Sequence, residues 1–170
     1  MDAKRWLLLG LALGLTGCQD LQSFVAPPQI LGGGINSQFA DEHPTLSSNG
    51  RYLAFASDRT YSRNIYLYDL QAKQFIDLPN LNRLNSSQDQ PALSADGRYI
   101  AYVSTERGRP DVFVYDRTSG RSQLLTATIR GSVRSPSISG DGRTVAYQSS
   151  RLGQWHIELY DRGAQLNQTR

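Results

Sequence analysis

The two histidines, His43 and His156, are the side chains in this sequence that could serve acid–base chemistry or bind a metal ion. Neither has a carboxylate or a cysteine at a spacing that builds a metal site. Serine is frequent, but the G-x-S-x-G turn that exposes a nucleophilic serine does not occur. The glycines at 32–34 have no following helix and no Lys-Ser/Thr pair, so they predict no phosphate loop. We therefore expect no catalytic residue, no metal and no cofactor, and a surface or structural role for both histidines.

The only cysteine, Cys18, has a local sequence that predicts a covalent modification. It ends the motif Leu-Thr-Gly-Cys, which resembles a lipobox, where small residues fit the signal peptidase and the thiol accepts a diacylglycerol. Two basic residues and an apolar run at 6–15, too short to span a bilayer, precede the motif. We expect 1–17 to be a lipoprotein signal peptide and Cys18 to anchor an exported protein to a cell-envelope membrane, facing the periplasm or the exterior. The alternative is an ordinary signal peptide or anchor in which Cys18 is incidental.

The formal net charge of the chain is +3, which is close to neutral and predicts no binding to nucleic acid. A stretch without carboxylates holds Arg117, Arg121, Arg130 and Arg134. We expect these arginines to form a solvated face rather than a site for an anionic ligand. Residues 18–42 are polar and then rich in proline and glycine, which is typical of a tether between a lipid and a folded domain.

Three segments of the sequence align without a gap. They begin at Pro44, Pro91 and Pro136, at intervals of 47 and 45 residues, and propeller repeats have a period of about 40–45 residues. The positions that are identical in all three copies are, in the first copy, Pro44, Ser47, Gly50, Arg51, Ala54, Ser57, Tyr68 and Asp69. One serine or aspartate per copy at a fixed position favours a turn or packing role, such as an Asx turn at Asp69, over a nucleophile or a calcium ligand.

Each copy is predicted to form a four-stranded meander. The segment Pro-x-[Leu/Ile]-Ser predicts a short inner strand, with His43 immediately before the first one, and the Asn-Gly or Asp-Gly pair that follows predicts a tight turn. Second strands are expected at 52–56, 99–103 and 144–147, third strands at 65–68, 112–115 and 157–160, and fourth strands at 75–78, 122–125 and 166–169. The predicted fold class is all-β: propeller-type four-stranded blades in three repeats, at about 43–79, 90–126 and 135–170, which make a partial or half propeller.

The pattern closely resembles the WD40-like (PD40) repeat of TolB-like β-propellers, whose blades read P-x-[WLI]-S-x-D-G-x-x-[IL]-A-[FY]-x-S, then a loop, then D-[IV]-[YF]-x-x-D. The resemblance covers residues 44–170. It implies an envelope location and a Tol–Pal context, in which the propeller docks a peptidoglycan-associated lipoprotein. The TolB proteins that it resembles also carry a separate N-terminal domain and six blades, whereas about 25 residues separate Cys18 from the first blade here.

Three blades are fewer than the roughly four that a closed ring usually needs. An open wedge exposes two apolar blade faces, and such faces favour association. We expect two chains to pair into a six-bladed ring, or the blades of a partner to complete it. The alternative is a three-bladed fragment or an irregular curved sheet that is stable as a monomer.

The loops that differ most between the copies, at 58–64, 105–111 and 150–156, are candidates for ligand binding because variation within a repeat is where specificity is encoded. Their charged and aromatic residues give the candidate ligand-binding set Tyr61, Arg107, Arg109, Arg151 and Trp155. Neutral drift of surface loops is the alternative explanation for the variation.

The favoured function is a non-catalytic, membrane-tethered module that binds a protein, peptide or glycan of the cell envelope, with Tol–Pal-like envelope maintenance as the role implied by the resemblance. The alternative is an enzyme-associated propeller, either an accessory to peptidase or glycan processing or an enzyme with its site in the channel. A channel enzyme needs clustered carboxylates or histidines on the inner strands. Those strands are predicted here to hold mostly proline, threonine, alanine, serine and aliphatic residues.

Overall fold

The computed structural model describes residues 34–163, which form eleven strands in three antiparallel sheets. Blade 1 contains β1 (Asp41–Leu46), β2 (Tyr52–Ser57), β3 (Asn64–Asp69) and β4 (Gln74–Ile76). Blade 2 contains β5 (Gln88–Leu93), β6 (Tyr99–Ser104), β7 (Asp111–Asp116) and β8 (Arg121–Leu124), and blade 3 contains β9 (Val133–Ile138), β10 (Thr144–Ser149) and β11 (His156–Asp161). Within each sheet every strand pairs with its neighbour in sequence, so each sheet is a meander and the predicted all-β blade fold is confirmed. Within residues 34–163 no helix is long and apolar enough to cross a membrane.

The inner strands β1, β5 and β9 begin earlier than predicted. β1 starts at Asp41 and contains a β-bulge between Glu42 and Thr45. The prediction that His43 immediately precedes the strand is therefore wrong, since His43 lies within it. The fourth strands of blades 1 and 2 lie within one or two residues of their predicted positions, and the one expected at 166–169 falls outside the described residues.

The repeated serines close the tight turn at the end of each inner strand. In blade 1 the Ser47 hydroxyl donates to Asn49 Oδ1 at 2.6 Å and accepts from the Tyr52 N–H at 2.9 Å. Equivalent pairs of bonds form at Ser94 in blade 2 and at Ser139 in blade 3. The structural role predicted for this serine is therefore confirmed. We call this end of each blade the tight-turn end, and the opposite end, which carries the connections from second to third strands, the loop end.

The repeated aspartates make Asx turns and ion pairs at the tight-turn end. Asp69 Oδ1 accepts from the Gln71 N–H at 2.9 Å, as the sequence predicts, and Asp69 Oδ2 accepts from Arg51 at 2.8 and 2.9 Å. The same arginine–aspartate pairs recur in the other blades at Arg98–Asp116 and Arg143–Asp161. Hydrogen bonds from Arg51 hold the pKa of the Asp69 carboxyl below its ordinary value of 3.8.

The apolar core lies between the blades, in two layers. In the layer between blades 1 and 2, the aliphatic side chains of Ile65 and Leu67 belong to the same buried cluster as Tyr102, Phe113 and Tyr115. The layer between blades 2 and 3 consists of Ala101, Val112, Val114, Leu125, Val133, Val145 and Tyr147. Blade 2 therefore has both faces covered, which explains why β6 and β7 are apolar almost throughout.

A second contact joins neighbouring blades at the tight-turn end. The ring of Tyr52 in blade 1 lies against Gly97 in the turn of blade 2, and the guanidinium of Arg117 lies 4.7 Å from the ring centroid. Arg117 also donates to the Gly97 carbonyl at 2.9 Å. Blades 2 and 3 repeat this arrangement with Tyr99, Gly142 and Arg162. We call it the tyrosine clamp, and it shows that Arg117 is a packing residue rather than part of a simple solvated face.

Alanine at Gly97 tests the clamp against a matched control. Gly97 and Gly108 have φ values of 70° and 79°, but a Cβ at Gly97 would lie 2.5 Å from Tyr52 Cδ2, whereas Gly108 faces open space. We expect Gly108→Ala to lower the free energy of unfolding by about 1–2 kcal/mol, from the left-handed backbone alone. Gly97→Ala should cost a further ~1–3 kcal/mol from overpacking, measured by urea unfolding. Equal losses in the two variants would contradict the clamp.

The Arg51–Asp69 pair predicts a specific acid sensitivity. Because the pKa of Asp69 is lowered in the folded state, the pair stabilises the fold above the unfolded carboxyl pKa of about 4 and loses this effect as the pH falls through the lowered value. We expect Asp69→Asn to reduce the free energy of unfolding at neutral pH and to flatten its decline in acid, measured by urea unfolding at a series of pH values. Asp161→Asn is the control, since the side chains of Asp161 and Arg143 are 47% and 59% exposed while Asp69 is 4% exposed. An equal or larger effect of the control would refute this interpretation.

Candidate functional site

The inner strands carry an unusual backbone conformation at the same position in all three blades. The residues just before the repeated prolines, His43, Gln90 and Ser135, have φ values of 52°, 53° and 51°. Positive φ is uncommon for residues other than glycine, and such conformations concentrate at sites where the chain holds a functional geometry. Each of these residues sits at an irregularity in the pairing of its inner strand. The same strained conformation is thus built three times, side by side.

These residues come together in one open groove. Its walls are His43, Gln90, Ser135 and the three prolines that follow them, and its volume is about 280 Å³. The Ser135 N–H donates to Gln90 Oε1 at 2.5 Å, which links blade 3 to blade 2. His43 Nδ1 lies 2.8 Å from Asp89 Oδ1, which links blade 1 to blade 2. The groove therefore runs across all three blades, and side-chain bonds between the blades hold its shape.

A cluster of charged side chains lies next to His43, beside the blade 1 end of the groove. Arg63, whose side chain is 14% exposed, pairs with Glu42 and with Asp58 and Asp89, both at 3.3 Å. Three carboxylates around one guanidinium leave an excess of negative charge, which the neighbouring His43 lessens only when it is protonated. This end of the groove is suited to a cationic group of a ligand.

The blade 3 end has the opposite character. Arg134 occupies the position equivalent to Glu42 and Asp89, and its guanidinium lies 3.9 Å from the centroid of the Trp155 ring. Its Nε donates to Gln148 Oε1 at 2.8 Å. The surface at the two ends of the groove is thus polarised, with excess carboxylate next to His43 at blade 1 and an arginine on an aromatic ring next to Ser135 at blade 3.

The loop residues predicted from the sequence lie on three equivalent loops at the loop end. Arg107 and Arg109 both pair with the buried carboxylate of Asp111, at 3.4 and 3.3 Å, so they hold their loop in place. Arg151 pairs with Glu158 at 2.5 Å. Tyr61 is 88% exposed and makes an edge contact with the ring of Phe39.

Trp155 is the member of that predicted set that contacts a residue of an inner strand, because the guanidinium of Arg134 in β9 packs on its ring. The predicted lipid-attachment residue, Cys18, lies outside the described residues. His43 lines the groove, and His156 Nε2 lies 3.0 Å from Glu158 Oε1. Across residues 34–163 no group of three His, Cys, Asp or Glu side chains is placed to hold a metal ion.

Sequence reasoning did not assign the two residues before each repeated proline to a binding site. It named His43 for a surface or structural role and Arg134 for a solvated face, whereas the Arg134 guanidinium packs on the Trp155 ring. The two residues read Glu-His, Asp-Gln and Arg-Ser in the three copies, so they vary while the proline is constant. A constant proline that follows two variable residues is visible in the alignment of the three copies. This signal indicates the position of the groove better than the variable loops do. The positive φ that brings these residues together depends on the bulge, which the sequence does not reveal.

The comparisons with known proteins agree with this architecture. The family described as the TolB beta propeller domain matches residues 34–169. TolB from Acinetobacter baumannii superposes with a TM-score of 0.62 at 23% identity, covering 75% of this chain and 31% of that protein. A putative TolB from Agrobacterium tumefaciens gives a TM-score of 0.60 at 24% identity, covering 71% of this chain and 43% of that protein. The β-propeller domain of the Trilobed protease from Pyrococcus furiosus gives 0.54 at 17% identity, covering 74% of this chain and 40% of that domain.

The chain spans less than half the length of each of these solved structures. A search of curated proteins found no match. At these identities the structural likeness establishes the fold of the described residues.

Proposed function

Since the chain belongs to the TolB β-propeller domain family, we propose that it is a non-catalytic module that binds a protein segment in the cell envelope. The observation that carries the proposal is the polarised groove, in which one strained backbone geometry is repeated while its side chains change from blade to blade. A repeated frame with varied side chains suits recognition of an extended ligand, because each blade contacts a different part of it.

The groove also indicates the kind of segment. A peptide with a basic residue toward blade 1 and an acidic residue toward blade 3 would match the excess of carboxylates around Arg63 and the guanidinium of Arg134. The side chains of Gln90 and Ser135 lie between these ends, where they can bond to the backbone of such a peptide. Tyr61 and the other predicted loop residues would border the bound segment at the loop end.

We place this module at a membrane through a lipid on Cys18. The motif that ends at Cys18 and the polar segment that follows it support this anchor. The anchor would hold the groove next to the membrane, within reach of envelope proteins, and a Tol–Pal-like role in envelope maintenance is consistent with such a position. We further propose that a second copy or another propeller completes the three blades.

A charge reversal in the groove tests the binding function. Because Arg134 bonds to Gln148, the strand partner of Ile157 on the outer face of blade 3, the variant is compared with wild type only at equal oligomeric mass. At equal mass, we expect Arg134→Glu to reduce the envelope protein retained by the full chain, in pull-downs from detergent-solubilised envelopes, by at least about tenfold, the size of a lost charge-assisted contact. Arg121→Glu makes the same change at the tight-turn end, away from the groove, and should leave retention unchanged. Equal retention by both variants, or turnover of a peptide or glycan library by the purified chain, would count against the proposal.

A fatty-acid label tests the anchor separately. Cells that express the full chain with an alkyne fatty-acid analogue should yield labelled protein in the membrane fraction, and Cys18→Ser should abolish the label and release the protein from that fraction. Because Cys18 is the only cysteine, no other thiol in the chain can accept the lipid. Persistent membrane association of an unlabelled Cys18→Ser protein would show that the anchor is not a lipid on this residue.

A further inference from the structure

Each blade has a face that meets the next blade in sequence, here called its leading face, and a face that meets the preceding blade, its trailing face. The leading faces of blades 1 and 2 are covered at two positions each: Ile65 and Leu67 are 1% and 0% exposed in blade 1, and Val112 and Val114 are 0% and 1% exposed in blade 2. At the equivalent positions of blade 3, Ile157 and Leu159 are 66% and 72% exposed. The described residues thus leave an apolar strand surface uncovered where the other two blades are covered.

The trailing faces show what kind of surface covers a leading face. In blade 2, Tyr102, Phe113 and Tyr115 form the aromatic trailing face that belongs to one core cluster with Ile65 and Leu67. Blade 1 has aromatic residues at all three equivalent positions, namely Phe55, Tyr66 and Tyr68. Phe75 contacts all three of these rings, and the guanidinium of Arg59 lies over Phe55, Tyr66 and Phe75 at 4.7–5.1 Å. Phe55 is 2% exposed, so this face consists of rings with one guanidinium packed on them.

We infer that the leading face of blade 3 packs against the trailing face of blade 1 in a second copy of this chain. A twofold axis then repeats the contact, and two chains form a closed ring of six blades in which every leading face is covered. This inference rests on the completed propeller proposed above and adds which faces meet. It commits to a second copy because this chain itself carries an aromatic trailing face of the kind that covers its own leading faces.

The tyrosine clamp supplies an independent observation. Within the chain, a tyrosine of one blade meets a glycine and an arginine of the next, as Tyr52 does with Gly97 and Arg117. At the proposed junction the tyrosine position holds Thr144 and the arginine position holds Leu70, so both members differ together. An arginine without a ring to stack on would have no partner there, whereas Leu70 suits the small side chain of Thr144.

The glycine of the clamp is retained at this junction. Gly50 has a φ of 68°, and the space where a Cβ would lie is open in the single chain. In the proposed dimer, Thr144 of the second copy, which stands at the tyrosine position, occupies this space. The junction therefore keeps the turn of the internal junctions and changes only the pair of side chains that meet.

The oligomeric mass of the full chain tests the inference. In mild detergent at micromolar concentration, light scattering is expected to give a protein mass of two chains. Ile157→Asp with Leu159→Asp should convert it to one chain, because the change places carboxylates in the junction. Leu84→Asp is the control, because Leu84 lies in the connection from blade 1 to blade 2 and its side chain is 94% exposed. This variant should remain dimeric. Because Ile157 and Leu159 are exposed within the single chain, the variant should keep the wild-type circular dichroism spectrum.

Rebuilding the clamp provides a test that does not depend on disruption. We expect the double variant Thr144→Tyr with Leu70→Arg to lower the dissociation constant of the dimer by about tenfold, and Leu70→Arg alone to raise it. The inference is overturned by a wild-type monomer, by open chains of more than two copies, by a dimer that survives the two aspartates, or by a one-to-one complex with another protein in place of the dimer. If the chain is monomeric but still retains its envelope partner, only the proposed dimer is refuted. If the chain is dimeric but retains no envelope partner, only the proposed binding function is refuted.

Discussion

Stacking of sheet on sheet is the interaction on which this structure depends. A blade of four short strands has two broad faces, and among the described residues no helix covers either face. The two apolar layers between the blades therefore supply most of the burial, and blade 2, covered on both sides, has the most apolar strands. Because each blade needs its apolar faces covered, the exposed leading face of blade 3 is the surface on which we expect a partner to bind.

The polar residues of the repeat divide into two kinds. Those that are identical in every copy close turns: Ser47, Asp69 and their counterparts bond to the backbone or to a neighbouring arginine. Those that differ between copies, such as His43, Gln90 and Ser135, share a backbone geometry and present different chemistry in one groove. A repeat can therefore hold its fold constant while it varies a binding surface, and function follows the second kind of residue.

Much of the fold could be predicted from the sequence because it depends on local signals. The Asn-Gly and Asp-Gly turns, the apolar runs of β6 and β7 and the repeated proline were sufficient to place the strands within a few residues. The groove could not be predicted, because it arises from bulges that bring residues some 45 positions apart side by side. Likewise, Arg117 was expected on a solvated face, and only the stacking of blades shows that it lies over Tyr52.

The central claim is that the leading face of blade 3 is covered by another copy of the chain, and amide hydrogen exchange of β10 and β11 tests it most directly. If the face is covered, exchange of these strands should slow as the concentration of the full chain rises, until it approaches the rate of the equivalent strands β6 and β7. The strands of blade 2 should show little dependence on concentration, because both faces of that blade are covered within one chain. Rapid exchange in β10 and β11 at every concentration would contradict the account.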